Sequence, residues 1–153
     1  MNTQTLAPSL LAVTLIMVAG SAFAHCEIPC GIYDDRARYT SLEEHIATME
    51  KAMDQITTLS AEGDKNYNQL VRWVTNKEEH AEMFQEIVTQ YFLFQRIKPK
   101  LPSDGEDYDK YIQHLTLFHH MLVEAMKCKQ TTDKAHIEKL RQLVGKSRDL
   151  YFE

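Results

Sequence analysis

Along most of this chain apolar residues recur at steps of three and four, the period of one face of an α-helix. The first such stripe reads Leu42, Ile46, Met49, Met53, Ile56 and, at its edge, Leu59. Ser41 and Glu44 stand at its head in the S-x-x-E spacing of a capping box, so the pattern predicts a helix from about Ser41. Glu62-Gly63-Asp64 closes it. A second helix is predicted from about Asp64 to Arg96, with Leu70, Val71, Val74, Ala81, Phe84, Val88 and Tyr91 facing inward. Asn76 in mid-pattern marks a place for a kink or break. Lys98-Pro99-Lys100-Leu101-Pro102-Ser103-Asp104-Gly105 reads as a loop, because its prolines and glycine cannot continue a helix. The third helix is predicted from about Asp107 to Lys127, with Tyr111, Leu115, Phe118, Leu122 and Ala125 or Met126 inward. Thr131 or Thr132 is placed to cap a fourth, carrying Leu140, Leu143, Val144 and Leu150.

Four amphipathic helices joined by short loops predict an all-α fold, an antiparallel four-helix bundle over residues 41–153. No stretch alternates as a strand would, and no internal repeat, low-complexity tract or second domain is evident. Such a bundle gives a fold and, by itself, no function.

The first 24 residues are of another kind. Leu6 to Val18 is largely apolar and has the length of a signal h-region. It is short for a membrane span, which needs roughly 20 apolar residues. Gly20-Ser21-Ala22-Phe23-Ala24 follows, ending in an A-x-A processing pattern, although the n-region has no Lys or Arg. A buried helix of the mature fold is the competing reading. The expectation is a signal peptide over residues 1–24, removed by signal peptidase, with export to the periplasm or beyond and no stable membrane anchor.

This segment carries no Asp, Glu, Lys or Arg, so the remaining chain keeps the net charge of −5. That acidity argues against nucleic acid as a partner, since phosphate binding needs clustered Lys and Arg. Any attraction for an anionic substrate must come from a local basic patch. The cysteines are Cys26, Cys30 and Cys128. An odd number in an oxidising compartment leaves at least one unpaired within the chain.

The candidate chemistry begins at the processing site, in His25-Cys26-Glu27-Ile28-Pro29-Cys30-Gly31-Ile32-Tyr33. Cleavage after Ala24 would give His25 a free α-amine beside its imidazole, with a thiol on the next residue. Amine nitrogen, deprotonated Cys26 amide and Cys26 sulfur can close adjacent chelate rings, and Cys30 can fill the fourth corner if the chain hooks back. Pro29 and Gly31 favour such a hook. A planar set of two nitrogens and two sulfurs suits Ni(II), whereas zinc prefers a tetrahedron. The His25 imidazole is then available as an axial ligand of the oxidised ion.

H-C-x-x-P-C-G-x-Y at a mature N-terminus resembles the nickel hook of the nickel superoxide dismutases, a family that is also a four-helix bundle. Asn76-Lys77-Glu78-Glu79-His80-Ala81 resembles a segment of that family's second helix. The resemblance covers residues 25–153, with the hook at 25–33. It implies one nickel ion per subunit, bound by the amine and imidazole of His25, the amide nitrogen and thiolate of Cys26 and the thiolate of Cys30. It places Tyr33 at the mouth of the substrate pocket, with the backbone amides near Glu27 and Cys30. It implies superoxide disproportionation by Ni(III)/Ni(II) cycling in a homohexamer. In some members the axial imidazole is held by a carboxylate early in the first helix and a basic residue of the second. Here Ser41 falls near the first of these positions, with Glu43 and Glu44 just beyond, and His80 near the second.

Other readings compete with these. The same N-terminal ligands would serve a secreted helical module that carries nickel or copper without turnover. Cys26 and Cys30 could instead form a disulfide in a purely structural bundle. His80 fits a helix-surface histidine as well as a positioning one, and His45, His114, His119, His120 and His136 read as solvated or packed. Cys128 reads as a free thiol near the end of the third helix. Trp73, Phe84, Tyr91 and Phe92 read as core or subunit interface. Lys98 and Lys100 read as solvated loop lysines, or as an attractive patch for superoxide.

Overall fold

A computed structural model describes residues 34–153. Within them the chain forms four long helices: α1 (Asp35–Ala61), α2 (Tyr67–Glu86), α3 (Glu106–Gln130) and α4 (Ala135–Phe152). No strand occurs among the described residues. The expected all-α four-helix fold is what is observed. The predicted signal segment and the 25–33 hook lie outside the described residues.

The pairing is antiparallel throughout, as interhelical contacts show. Between α1 and α4, Glu43 meets Arg148, Glu50 meets Arg141 and Asp54 meets Lys134, one number rising as the other falls. The same inverse order joins α1 to α2 through His45–His80 and Lys51–Trp73, and α2 to α3 through Lys77–Cys128 and Gln85–Leu122. It joins α3 to α4 through His114–Tyr151 and Glu124–His136. Each helix therefore lies beside its sequence neighbours, and the last returns to the first.

Helix α1 starts six residues earlier than the capping box predicts. The carboxylate of Asp34 accepts from the Arg36 amide at 2.8 Å and caps the first turn. Ser41 instead donates its hydroxyl to the Ala37 carbonyl one turn back (3.0 Å), the behaviour of a serine inside a helix. Of the predicted stripe, Leu42, Ile46, Met49 and Met53 are buried, joined by Tyr39 and Ala52. The helix stops at Glu62, and Gly63 takes a left-handed φ of +77° in the turn that follows.

Helix α2 passes through Asn76 without a break. Its predicted inward residues Ala81, Phe84, Val88 and Tyr91 are buried, but Val71 and Val74 stand exposed, and Lys77 is the first buried residue of α2. The irregularity falls later, where Ile87–Arg96 winds as a π-helix. Ile97 N–H reaches Phe92 O (3.0 Å) and the Gln95 side chain reaches Gln90 O (2.9 Å), both five residues back.

Helix α3 turns a slightly different face inward than expected. His114, Phe118, Met121, Glu124, Ala125 and Cys128 are buried, while Met126 is exposed. Acidic residues fill its first turn and Lys127 and Lys129 its last, matching the helix dipole. Neither Thr131 nor Thr132 caps α4 directly. Thr131 accepts from Asp133 N (2.6 Å), and the Asp133 carboxylate accepts from Ala135 N (2.9 Å). In α4, Leu140, Leu143 and Val144 are buried as predicted, together with Ile137.

One end of the core is aromatic. Phe92 stacks on Phe118 (5.4 Å between ring centres) and meets Tyr39 and Tyr151 at 4.8 and 5.5 Å. Tyr39 and Ser147 hydroxyls bond at 2.9 Å in full burial, and burial pushes the Tyr39 phenol up to about 12. This is the end at which α1 begins.

Candidate functional site

His25, Cys26, Cys30 and Tyr33 lie outside the described residues, so the structure informs on the site through what surrounds its point of attachment. That point is Asp34, which follows Tyr33 directly and caps α1. The next residue, Asp35, ties three helices together. Its Oδ1 accepts from the Tyr91 hydroxyl and from Arg96 Nε (2.9 Å), and its Oδ2 from the Tyr151 hydroxyl (2.9 Å). Arg96 Nη2 lies 2.8 Å from the same carboxylate and donates to the Tyr91 oxygen at 2.9 Å. Tyr91 and Arg96 are five residues apart, which the π-helical winding brings onto one side. Burial pushes the Asp35 carboxyl up. The hydrogen bonds from Tyr91 and Tyr151 and the Arg96 charge together outweigh it and hold the carboxyl below its ordinary value. The result is an anchored start for the chain that leads back to Tyr33.

Beside this anchor lies an open cleft of about 450 Å³. Arg96, Lys98 and Lys100 line it from the end of the π-helix and the following loop, and Asp107, Lys110, Tyr111 and His114 from α3. Positions 107, 110, 111 and 114 share one helical face. Lys100 pairs with Asp107 at 2.7 Å. Burial lowers the His114 pKa, and the charge of Lys110 lowers it further. The loop lysines thus do more than sit in solvent: both border a defined concavity.

Farther along the bundle, His45 of α1 and His80 of α2 meet Nδ1 to Nδ1 at 2.9 Å, rings tilted by 59°. One ring must donate at this contact and the other accept. Burial, then the neighbouring His80 charge, lowers the His45 pKa, with Glu44 opposing. His80 is accordingly not a lone surface histidine, and its partner is His45 rather than Ser41, Glu43 or Glu44. Ser41 bonds its own helix and Glu43 pairs with Arg148. His136 meets the buried Glu124 at 2.7 Å, whereas His119 and His120 are exposed on α3.

Among the described residues no three His, Cys, Asp or Glu side chains stand together as a metal ligand set. Cys128 is a free thiol, fully buried, and burial pushes it up to about 12. Its burial and the absence of a ligand group around it give it no part in a metal site among the described residues.

The sequence pattern alone missed Asp35, Tyr91, Arg96, Tyr151 and the partnership of His45 with His80. One signal was present: Asp34-Asp35 directly before a helical stripe is a stronger N-terminal cue than Ser41.

A family model described as nickel-containing superoxide dismutase matches residues 20–153. No curated protein and no solved structure gives a match to the chain.

Proposed function

This chain belongs to the nickel-containing superoxide dismutase family, and we propose that it disproportionates superoxide at a nickel site formed by His25, Cys26 and Cys30. It is an oxidoreductase with a nickel cofactor and superoxide dismutase chemistry. The observation that carries the finer reading is the nine-residue pattern H-C-x-x-P-C-G-x-Y, which follows an A-x-A pattern directly and lies inside the matched region.

When bound, nickel supplies one-electron cycling between Ni(III) and Ni(II), so that one superoxide leaves as dioxygen and a second, with two protons, as hydrogen peroxide. The chain's own residues supply the rest. Cleavage after Ala24 turns the His25 amide into an amine, a far better donor, so export and assembly of the site are one event. The Cys26 and Cys30 thiolates and the Cys26 amidate would hold the ion and, as strong donors, would lower the potential of the couple. The His25 imidazole would be a further donor to the ion. By the family resemblance, Tyr33 would order water or product beside the ion. Asp34 and Asp35 fix where this segment joins the bundle.

Assembly into a homohexamer and export to the periplasm or beyond belong to the same reading. Tyr67, Val71 and Val74, exposed on α2, offer apolar surface for such an assembly.

The test is superoxide disproportionation by nickel-loaded protein beginning at His25, beside the same chain with one alanine added in front. Activity in the first alone supports the freed amine as a ligand. Cys26→Ser and Cys30→Ser are each expected to lose nickel binding and activity together. Activity retained in either variant would remove the assigned site. Nickel bound through both thiols without turnover would indicate a metal-carrying module instead.

A further inference from the structure

Two histidines from different helices meet nitrogen to nitrogen. His45 of α1 and His80 of α2 lie 35 residues apart, and their Nδ1 atoms stand 2.9 Å from each other with ring centres 5.1 Å apart. Neither ring bonds a carboxylate or a backbone carbonyl among the described residues, the partners that ordinarily orient a histidine inside a protein. Both residues keep part of their surface in water.

That separation matches the bite of a metal ion. Two adjacent bonds of about 2.0–2.1 Å at a right angle hold their nitrogens about 2.9 Å apart, whereas a tetrahedral ion holds them about 3.4 Å apart. The right angle is the tetragonal preference of Cu(II), which also stands highest among first-row divalent ions for nitrogen ligands. The ring centres show the two nitrogens facing each other nearly head-on, so seating an ion beside the contact turns each ring about its outer side-chain torsion, which is broad in histidine. The donating ring moves its proton from Nδ1 to Nε2, which leaves both Nδ1 lone pairs for the ion and releases no net proton from a neutral pair. Glu44 and Glu79, each exposed and directly before its histidine, add negative charge at this level of the two helices, and the Glu44 charge acts on His45 through space.

We propose that His45 and His80 form a two-histidine site for a divalent copper ion, with both Nδ1 atoms as ligands and water in the remaining positions. No third ligand side chain joins them among the described residues, so the site is an open, exchangeable one rather than a structural one. Long packed helices carry the two rings and set their separation before any ion arrives, so the second bond forms at a high effective concentration. The site uses none of His25, Cys26 or Cys30, so it stands or falls apart from the nickel reading.

Copper(II) is the probe, titrated into the full chain carrying Cys26→Ser and Cys30→Ser, so that the N-terminal motif offers no thiolates, and followed by electron paramagnetic resonance. One saturable ion per chain is expected, with a Kd of about 10 µM or tighter and hyperfine splitting from two imidazole nitrogens. His45→Gln and His80→Gln should each weaken binding about tenfold or more. His119→Gln with His120→Gln, both exposed on α3, should leave it unchanged. Copper at about a hundredfold excess over Kd should raise the Tm of this parent chain by about 5 °C or more, and that of neither single variant, because it stabilises only the fold that holds the two rings together. Copper bound without two-nitrogen splitting, a Tm unmoved by copper in the parent, or single-histidine variants that bind as the parent does would each overturn the proposal. Loss of the site in the His119→Gln, His120→Gln variant would overturn it as well.

Discussion

Asp35→Asn is the substitution that most directly tests how the N-terminal motif is tied to the bundle. The carboxylate receives hydrogen bonds from Tyr91, Arg96 and Tyr151 and pairs with the Arg96 charge at 2.8 Å, with about a quarter of each side chain exposed. Hydrogen bonds to a charged group contribute about 1.5–3 kcal/mol each when both partners are kept from water. Asparagine keeps one acceptor and the shape, but loses the charge and turns an N–H₂ toward the Tyr151 hydroxyl. Partial exposure discounts the ion pair, so the expected loss is about 2–3 kcal/mol. In a domain of this size that lowers Tm by roughly 10 °C.

The pH dependence identifies the cause. The folded carboxyl titrates below its unfolded value. Its contribution is therefore complete above about pH 4, the unfolded carboxyl range, and is lost as pH falls through the lower folded value. Urea unfolding of parent and variant, at one protein concentration because assembly shifts apparent stability, should show the full difference at pH 7 and a closing gap below about pH 4. A difference under about 0.5 kcal/mol at pH 7 would refute the anchor, since ordinary surface substitutions stay within that range. A gap unchanged down to pH 2 would refute its electrostatic origin.

Two further predictions rest on buried groups. Lys77, only 4 % exposed, donates to the carbonyls of Cys128 (2.6 Å), Lys129 and Thr131 (3.3 Å), closing the C-terminal end of α3 from the neighbouring helix. Lys77→Met should cost about 2–4 kcal/mol in urea unfolding, because it leaves those carbonyls without their charged donor, and a loss below about 0.5 kcal/mol would contradict this. For His45 the sign runs with falling pH: its folded pKa is lowered, so its contribution is present above about 6.5 and is lost as pH drops through the folded value. His45→Gln should flatten the fall in stability between pH 7 and 5, and an unchanged slope would show that the His45–His80 contact carries no proton linkage.

What could be read from the sequence, and what could not, follows from the range of the forces involved. The spacing of Leu42, Ile46, Met49 and Met53, or of Leu140, Leu143 and Val144, is a local record of which side faces the core, and it located those helices correctly. Val71 and Val74 carry the same period and are exposed, because periodicity says which residues share a face and not whether a neighbour covers it. The start of α1 was misplaced for a local reason: two capping signals compete, and the carboxylate of Asp34 wins over Ser41. Pairings such as His45 with His80, or Asp35 with Arg96, lie 35 and 61 residues apart and are set only when the helices pack, so no window of sequence holds them. The N-terminal motif is the opposite case. The donors proposed for it lie close together in sequence, so the chemistry they would supply is local and legible before any fold is known. The bundle adds what the motif cannot provide alone, a fixed place of attachment. That division implies that substitutions in Cys26 or Cys30 should abolish nickel binding while leaving the bundle folded, whereas those at Asp35 should loosen both.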